Sequence, residues 1–350
     1  MRAAVKSCYA LLLASAMLAA MSLCTMSLRA VADTMPAGPL ALGSAAYQRH
    51  DYATALLLLR PLAEQGVAGA QVVLGFMYHD GEGVPQDYAQ AAQWMRKAAE
   101  QGDEVAEASL GGMYLNGEGV PKNDDDAARW LQKAADQGMA PAQFALGGLD
   151  DLHGKTADAL KWYRLAAAQG DAQAQSNVGN MYETDRGVKQ SYADALVWYR
   201  RAADQGLVVA QYNLGVLYDN DHGVVRDYQE AAKWYRLAAT AGDADAQYSL
   251  GILYDDGHGV PRDDTEAAKW FRLAADQGYA MAQNNLGSLY ARGEGVPKDY
   301  VQAYMWFALS AEQDNALAVD NLKAAADEQT PDEIAHAKDL AAQWKPKGDQ

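Results

Sequence analysis

LGILYDDGHGVPRDDTEAAKWFRLAADQG, Leu250 to Gly278, is one copy of a unit that fills most of this 350-residue chain. The Leu-Gly pair that opens it returns at Leu74-Gly75, Leu110-Gly111, Leu146-Gly147, Leu214-Gly215 and Leu286-Gly287, and as Val178-Gly179. Its tryptophan returns at Trp94, Trp130, Trp162, Trp198, Trp234 and Trp306. The spacing between tryptophans is 36 residues throughout, except for 32 between Trp130 and Trp162. A fixed period of this length belongs to stacked supersecondary units, each burying its apolar face only against its neighbours.

Each unit reads as two antiparallel helices. Ala70, Leu74, Met77 and Tyr78 fall on one helical face. Gly75 sits inside that helix at a cost of ~1 kcal/mol relative to Ala, and its return in every unit predicts a close helix approach there. Gly81-Glu82-Gly83-Val84-Pro85 makes the turn. The second helix then starts at Asp87, Asn123, Ser191, Asp227, Asp263 or Asp299, all good N-caps. Gln90, Asp126, Asp194, Glu230, Glu266 and Gln302 stand three residues on, as in a capping box. Where Lys155 takes the cap position, Thr156 is expected to cap instead. Gly102, Gly138, Gly170, Gly206, Gly242 and Gly278 end the second helices in the left-handed conformation. The tryptophan is expected to supply the buried bulk. Leu42-Gly43 to Gly66 is an atypical first unit, with Leu58 at the tryptophan position. At the other end, Thr330-Pro331-Asp332-Glu333 starts a last helix running to about Trp344, and Lys345-Pro346-Lys347 begins a frayed tail. The architecture predicted is all-α: a right-handed α-solenoid of about eight helix-turn-helix repeats over 40–318, a C-terminal capping helix pair over 319–345, and a tail over 346–350.

Residues 1–32 read as a signal peptide. Arg2 and Lys6 precede an uncharged run from Tyr9 to Leu28, and Ala30-Val31-Ala32 places small residues ahead of a cut between Ala32 and Asp33. The run is also long enough to span a bilayer, so an uncleaved inner-membrane anchor is the rival reading. A linker follows over 33–39. Both cysteines, Cys8 and Cys24, lie in the leading segment, which removes disulfide and thiol chemistry from the rest. The whole chain has 29 Lys+Arg against 46 Asp+Glu, and the leading segment contributes only bases, so the repeats are more acidic still. Such a body disfavours nucleic acid and anionic membrane surfaces, both of which need basic charge. A protein or peptide partner, basic or neutral, is the easier electrostatic match.

The series Ala-x-x-x-Leu-Gly-x-x-Tyr-x-x-Gly-x-Gly-Val-x-x-Asp, followed by Ala-x-x-Trp-x-x-x-Ala-Ala-x-x-Gly, resembles the Sel1-like repeat, a branch of the tetratricopeptide superfamily. The resemblance covers roughly residues 40–318. It implies an adaptor or scaffold for protein complexes, in many bacterial members periplasmic or secreted. Cysteine-rich relatives with a disulfide per repeat are linked to binding or hydrolysing β-lactams, a feature from which this chain departs.

No Ser-x-x-Lys, Gly-x-Ser-x-Gly, His-Glu-x-x-His or P-loop occurs, and the sequence predicts no catalytic residue, cofactor or metal. His222 and His258 share a turn position. Stacked helices lie ~8–10 Å apart while zinc–nitrogen bonds are ~2.0–2.1 Å, so the two read as solvated turn residues. Two rows on the first helices are the candidate site. Asp151, Glu183, Asp219 and Asp255 stand four residues after the helix glycine, either as an acidic stripe for a basic segment or as partners in turn hydrogen bonds. One turn earlier come Asn177, Asn213 and Asn285, with Tyr212 and Tyr248 beside them. In related tetratricopeptide arrays the first helices line a concave groove, where amides hold an extended peptide backbone. The alternative is that these amides bond within or between units. No base is seen in this row. The functional reading is a non-enzymatic periplasmic or secreted adaptor, with an envelope factor tied to peptidoglycan and a β-lactam-binding hydrolase as alternatives.

Overall fold

A tryptophan's neighbour, rather than the tryptophan, sets how the two helices of a unit meet. The computed structural model describes residues 38–221 and 225–347, which hold eighteen α-helices and no strand. They fall into two units, divided between Lys189 and Gln190. The first unit contains α1 (Pro39–Gln48), α2 (Tyr52–Glu64), α3 (Ala68–Asp80), α4 (Tyr88–Ala99), α5 (Glu104–Asn116), α6 (Asp124–Asp136), α7 (Ala140–Leu152), α8 (Thr156–Ala168) and α9 (Ala172–Glu183). The second contains α10 (Tyr192–Asp204), α11 (Val208–Asp219), α12 (Tyr228–Thr240), α13 (Ala244–Asp256), α14 (Asp264–Asp276), α15 (Ala280–Arg292), α16 (Tyr300–Ala311), α17 (Ala316–Asp327) and α18 (Pro331–Gln343). In the first unit each helix packs on the next in sequence; in the second this holds up to α17, and α18 lies back against α16. This is an all-α solenoid.

The helix glycines explain the packing. A Cβ on Gly75 would lie 2.9 Å from Met95 Cε, one on Gly147 2.8 Å from the Tyr163 ring, and one on Gly215 2.5 Å from the Tyr235 ring. Each partner is the residue after the unit's tryptophan, and Tyr163, Tyr235 and Phe271 are among the largest fully buried side chains. Trp162, Trp234, Trp270 and Trp306 are buried, whereas Trp94, Trp130 and Trp198 stay half-exposed. The expected bulk therefore belongs first to the following residue, which points straight at the glycine gap. In the turn, a side chain on Gly119 would meet the Tyr88 carbonyl oxygen at 1.9 Å, so the turn rides on the start of the preceding second helix.

All six expected N-caps accept a backbone N–H. The reciprocal capping box, however, forms only at Thr330 and Glu333 among the described helices. At α12 and α14 the carboxylate is drawn elsewhere: Trp234 Nε1 donates to Glu230 and Trp270 Nε1 to Glu266, each at 3.1 Å. Thr156 does not cap α8; it is the first helical residue, and Lys155 occupies the cap without a side-chain bond. Pro39, read as the linker's last residue, already opens α1. Lys347, expected in a frayed tail, is instead docked, its Nζ reaching Asp276 at 2.7 Å. Trp344 just before it packs edge-on against Trp306 at 6.1 Å, and residues 348–350 lie outside the described residues. The 1–32 segment, its Ala32–Asp33 junction, both cysteines and His222 lie outside the described residues.

Candidate partner-binding face

Each first helix buries its Leu-Gly side against its own second helix. The positions one and two residues before that leucine are buried in α3, α5 and α7, and half-covered at Asn177, Tyr212, Asn213, Tyr248, Ser249 and Asn285. Beneath them runs a feature missed in the sequence. Gln71, Gln143, Gln175, Gln211, Gln247 and Gln283 are buried, and each donates to the carbonyl eight residues back, on the preceding second helix. In the first unit Gln101 donates to Gln71 and Gln169 to Gln143; in the second Gln277 donates to Gln247 and Gln313 to Gln283. The result is an amide ladder joining successive helices. Its signal was the Ala-Gln dipeptide ahead of each Leu-Gly, which the hydrophobic period passes over. Glu107 interrupts it: it accepts from Gln137 at 2.8 Å, and burial pushes its carboxyl above the usual range.

A second ladder ties second helices to the following first helices. Arg60 donates to the Tyr78 hydroxyl at 3.0 Å and Arg96 to Tyr114 at 2.6 Å; Arg200, Arg236 and Arg272 do the same to Tyr218, Tyr254 and Tyr290. The guanidiniums of Arg96, Arg200, Arg236 and Arg272 lie over the same rings, a cation–π arrangement.

The four carboxylates of the acidic row are all half-buried, and three face internal partners. Asp151 is paired with Arg186 of the next turn. Asp219 accepts from the Tyr235 hydroxyl at 3.2 Å, while burial pushes its carboxyl up against the opposing pull of that bond, Arg226 and His258. Burial also raises Asp255, and the positive charge of Arg292 works against the rise. At the same position His79 contacts Glu118 at 3.2 Å, so the polarity of the pairing is reversed there. Asp151 and His79 thus serve contacts between neighbouring turns, and Asp219 a contact within its own helix pair. Glu183 is half-buried at the end of α9.

The second row comes together in the second unit. Tyr212 lies 5.8 Å from Tyr235, with Ser249 of the next first helix beside its hydroxyl. Tyr248 lies 5.1 Å from Tyr279 and 5.9 Å from Phe271, with Asn285 beside its hydroxyl. Asn284 donates to Asn285 at 3.3 Å and accepts from Asn321 of α17 at 2.9 Å. Asn177 and Asn213 are half-buried on α9 and α11. Burial pushes the Tyr212 and Tyr248 hydroxyls up, so both stay neutral hydrogen-bonding groups. The row runs into a pocket of 340 Å³ lined by Ser288, Arg292, Tyr300, Asn321 and Glu328. Arg292 is a base close to the row that its turn position concealed, and its Nε is held by Glu294 at 2.5 Å. His258 stacks on Tyr228 at 4.7 Å. Among the described residues no group of three or more His, Cys, Asp or Glu could hold a metal ion, and no helix is long and apolar enough to cross a membrane.

Stacked helix pairs with a polar, aromatic first-helix face define a solenoid repeat protein. The Sel1 repeat matches residues 68–103, 105–139, 140–171, 172–207, 208–243, 244–279 and 280–315, and the chain belongs to that family. The pair α1–α2 lies ahead of the matched residues. A Sel1 repeat protein from Oxalobacter formigenes is similar in structure, with 34% identity, a TM-score of 0.65, and coverage of 88% of this chain and 92% of that one. A protective antigen of uropathogenic Escherichia coli displaying an SLR fold matches at 28% identity over 91% of this chain and 94% of that one, with a TM-score of 0.34. No curated protein matches the sequence. Sel1 repeat proteins generally mediate protein–protein interaction.

Proposed function

We propose that the chain is a non-enzymatic adaptor that holds a partner protein or peptide along its first-helix face, outside the cytoplasm. The observation carrying this reading is the run of Tyr212, Tyr248, Asn213 and Asn285 on successive first helices, half-exposed and bearing amides and hydroxyls suited to peptide groups. The net charge of −17 favours a basic or neutral partner. Export, as a periplasmic or secreted protein, rests on the leading segment with its small residues before Asp33.

Site-specific photocrosslinking in the native host tests the binding face. A crosslinker at Asn213 is expected to capture a discrete partner, and one at exposed Gln93 on α4 is not. Equal capture at both positions, or at neither, removes the reading. Export is tested separately by fractionation and N-terminal sequencing of the mature chain, with Asp33 expected first.

A further inference from the structure

We propose that the first-helix face of the second unit is a receptacle for an arginine side chain of the partner, seated among Tyr212, Tyr248 and Tyr279 with its charge on Asp245. This deepens the adaptor reading and rests on it.

The site begins as a row in the repeat register. Val209, Asp245, Met281 and Leu317 occupy equivalent positions, 36 residues apart, in the first turns of α11, α13, α15 and α17. Val209, Met281 and Leu317 are 46%, 39% and 62% exposed, so three of the four positions present apolar side chains to solvent. Asp245 is the single acid in this row and is itself exposed. Acids in a first turn gain ~0.3–1 kcal/mol from the helix dipole, which accounts for an acid there but not for the rings around it. Tyr248 stands three residues after Asp245, on the same face. Tyr279 packs on Tyr248 at 5.1 Å, and burial together with the field of Asp245 raises its hydroxyl. Tyr212, from the preceding first helix, lies in the field of Asp243 and Asp245.

What this cluster lacks is a cation. Helices α11 and α13 contain no Lys or Arg, and α15 has only Arg292 at its far end. The unit's own Arg200, Arg236 and Arg272 are engaged with Tyr218, Tyr254 and Tyr290, and among the described residues no base stacks on Tyr212, Tyr248 or Tyr279. Asp245 has no ion pair among the described residues. Aromatic faces beside an exposed carboxylate suit a guanidinium better than an ammonium: the planar, weakly hydrated group can stack and donate to the acid together. The apolar positions to either side call for apolar residues flanking the arginine.

The test uses the purified chain and a fluorescein-labelled peptide, Gly-Ser-Leu-Arg-Leu-Ser-Gly, with a second peptide carrying citrulline for arginine. Fluorescence anisotropy is expected to show the citrulline peptide weaker by about tenfold, the loss of a charge-assisted contact. Asp245→Asn is expected to weaken the arginine peptide alone, and Tyr279→Leu to do the same if its thermal unfolding matches wild type. Binding of the two peptides within about threefold of each other, or an arginine affinity indifferent to Asp245→Asn, overturns the proposal. So does an absence of binding by the wild-type chain. The photocrosslinking above separates the two readings. Capture at Asn213 that Asp245→Asn leaves intact keeps the adaptor and removes the arginine receptacle.

Discussion

The ring of Phe271 occupies the space that a side chain on Gly251 would need: a Cβ there would fall 2.6 Å from Cδ1 and Cε1. The same relationship joins Gly287 to Phe307 at 2.8 Å. Alanine should gain ~1 kcal/mol in helix propensity at either position, but overpacking a fully buried ring costs about 1–3 kcal/mol. Gly251→Ala is therefore expected to lower stability in urea denaturation, and Gly251→Ala with Phe271→Leu to recover part of the loss. Additive effects of the two changes would show that the ring and the glycine are not in contact.

Glu107 holds the place where six other units have a glutamine, and a carboxylate cannot donate to the carbonyl that those amides reach. Glu107→Gln is expected to stabilise the chain at pH 7 by about 0.5–1.5 kcal/mol, one restored hydrogen bond. The pH dependence follows from the raised carboxyl. The folded chain keeps its proton above the ordinary value of about 4.3, so wild-type stability falls as pH rises through the window between the two values. The advantage of the variant should thus grow from pH 4 upward and level off, as read by the difference in Tm.

Arg186 is the partner of Asp151, whose side chain is 8% exposed while that of the arginine is 40% exposed. Removing one member of a buried pair costs about 3–5 kcal/mol, and solvent screening of the half-exposed arginine places Arg186→Ala at or below the lower end. Replacing both, as Asp151→Leu with Arg186→Met, should cost less than the single change. Chemical denaturation of the three variants measures this.

Trp344 covers Trp306, which is 2% exposed, and Lys347 clips the tail to α14. Trp344→Ala is expected to destabilise the second unit by about 1–3 kcal/mol through lost apolar burial and an edge-to-face contact. Trp306 emission should shift to longer wavelength, and hydrogen exchange should quicken at α16 and α18. Unchanged protection at α18 would mean that the tail contributes no closure.

The helix pairs, their caps, the capping helix and the family were legible because the 36-residue period repeats each local signal many times. A glycine after a second helix or a capping residue before it can be read one residue at a time. What the first-helix rows face could not be read that way. Asp151 and Arg186 are 35 residues apart, and Tyr212 and Ser249 are 37 apart; whether such groups meet depends on how one turn seats on the next. The sequence left the acidic row open between a stripe for a basic segment and partners in turn hydrogen bonds. In the structure Asp151 meets Arg186 of the next turn and Asp219 meets Tyr235 of its own helix pair, and the buried glutamine ladder is one that the hydrophobic period passes over. Periodicity determined which residues are equivalent, and only the stacking of one helix pair on another decided which of them were left facing solvent.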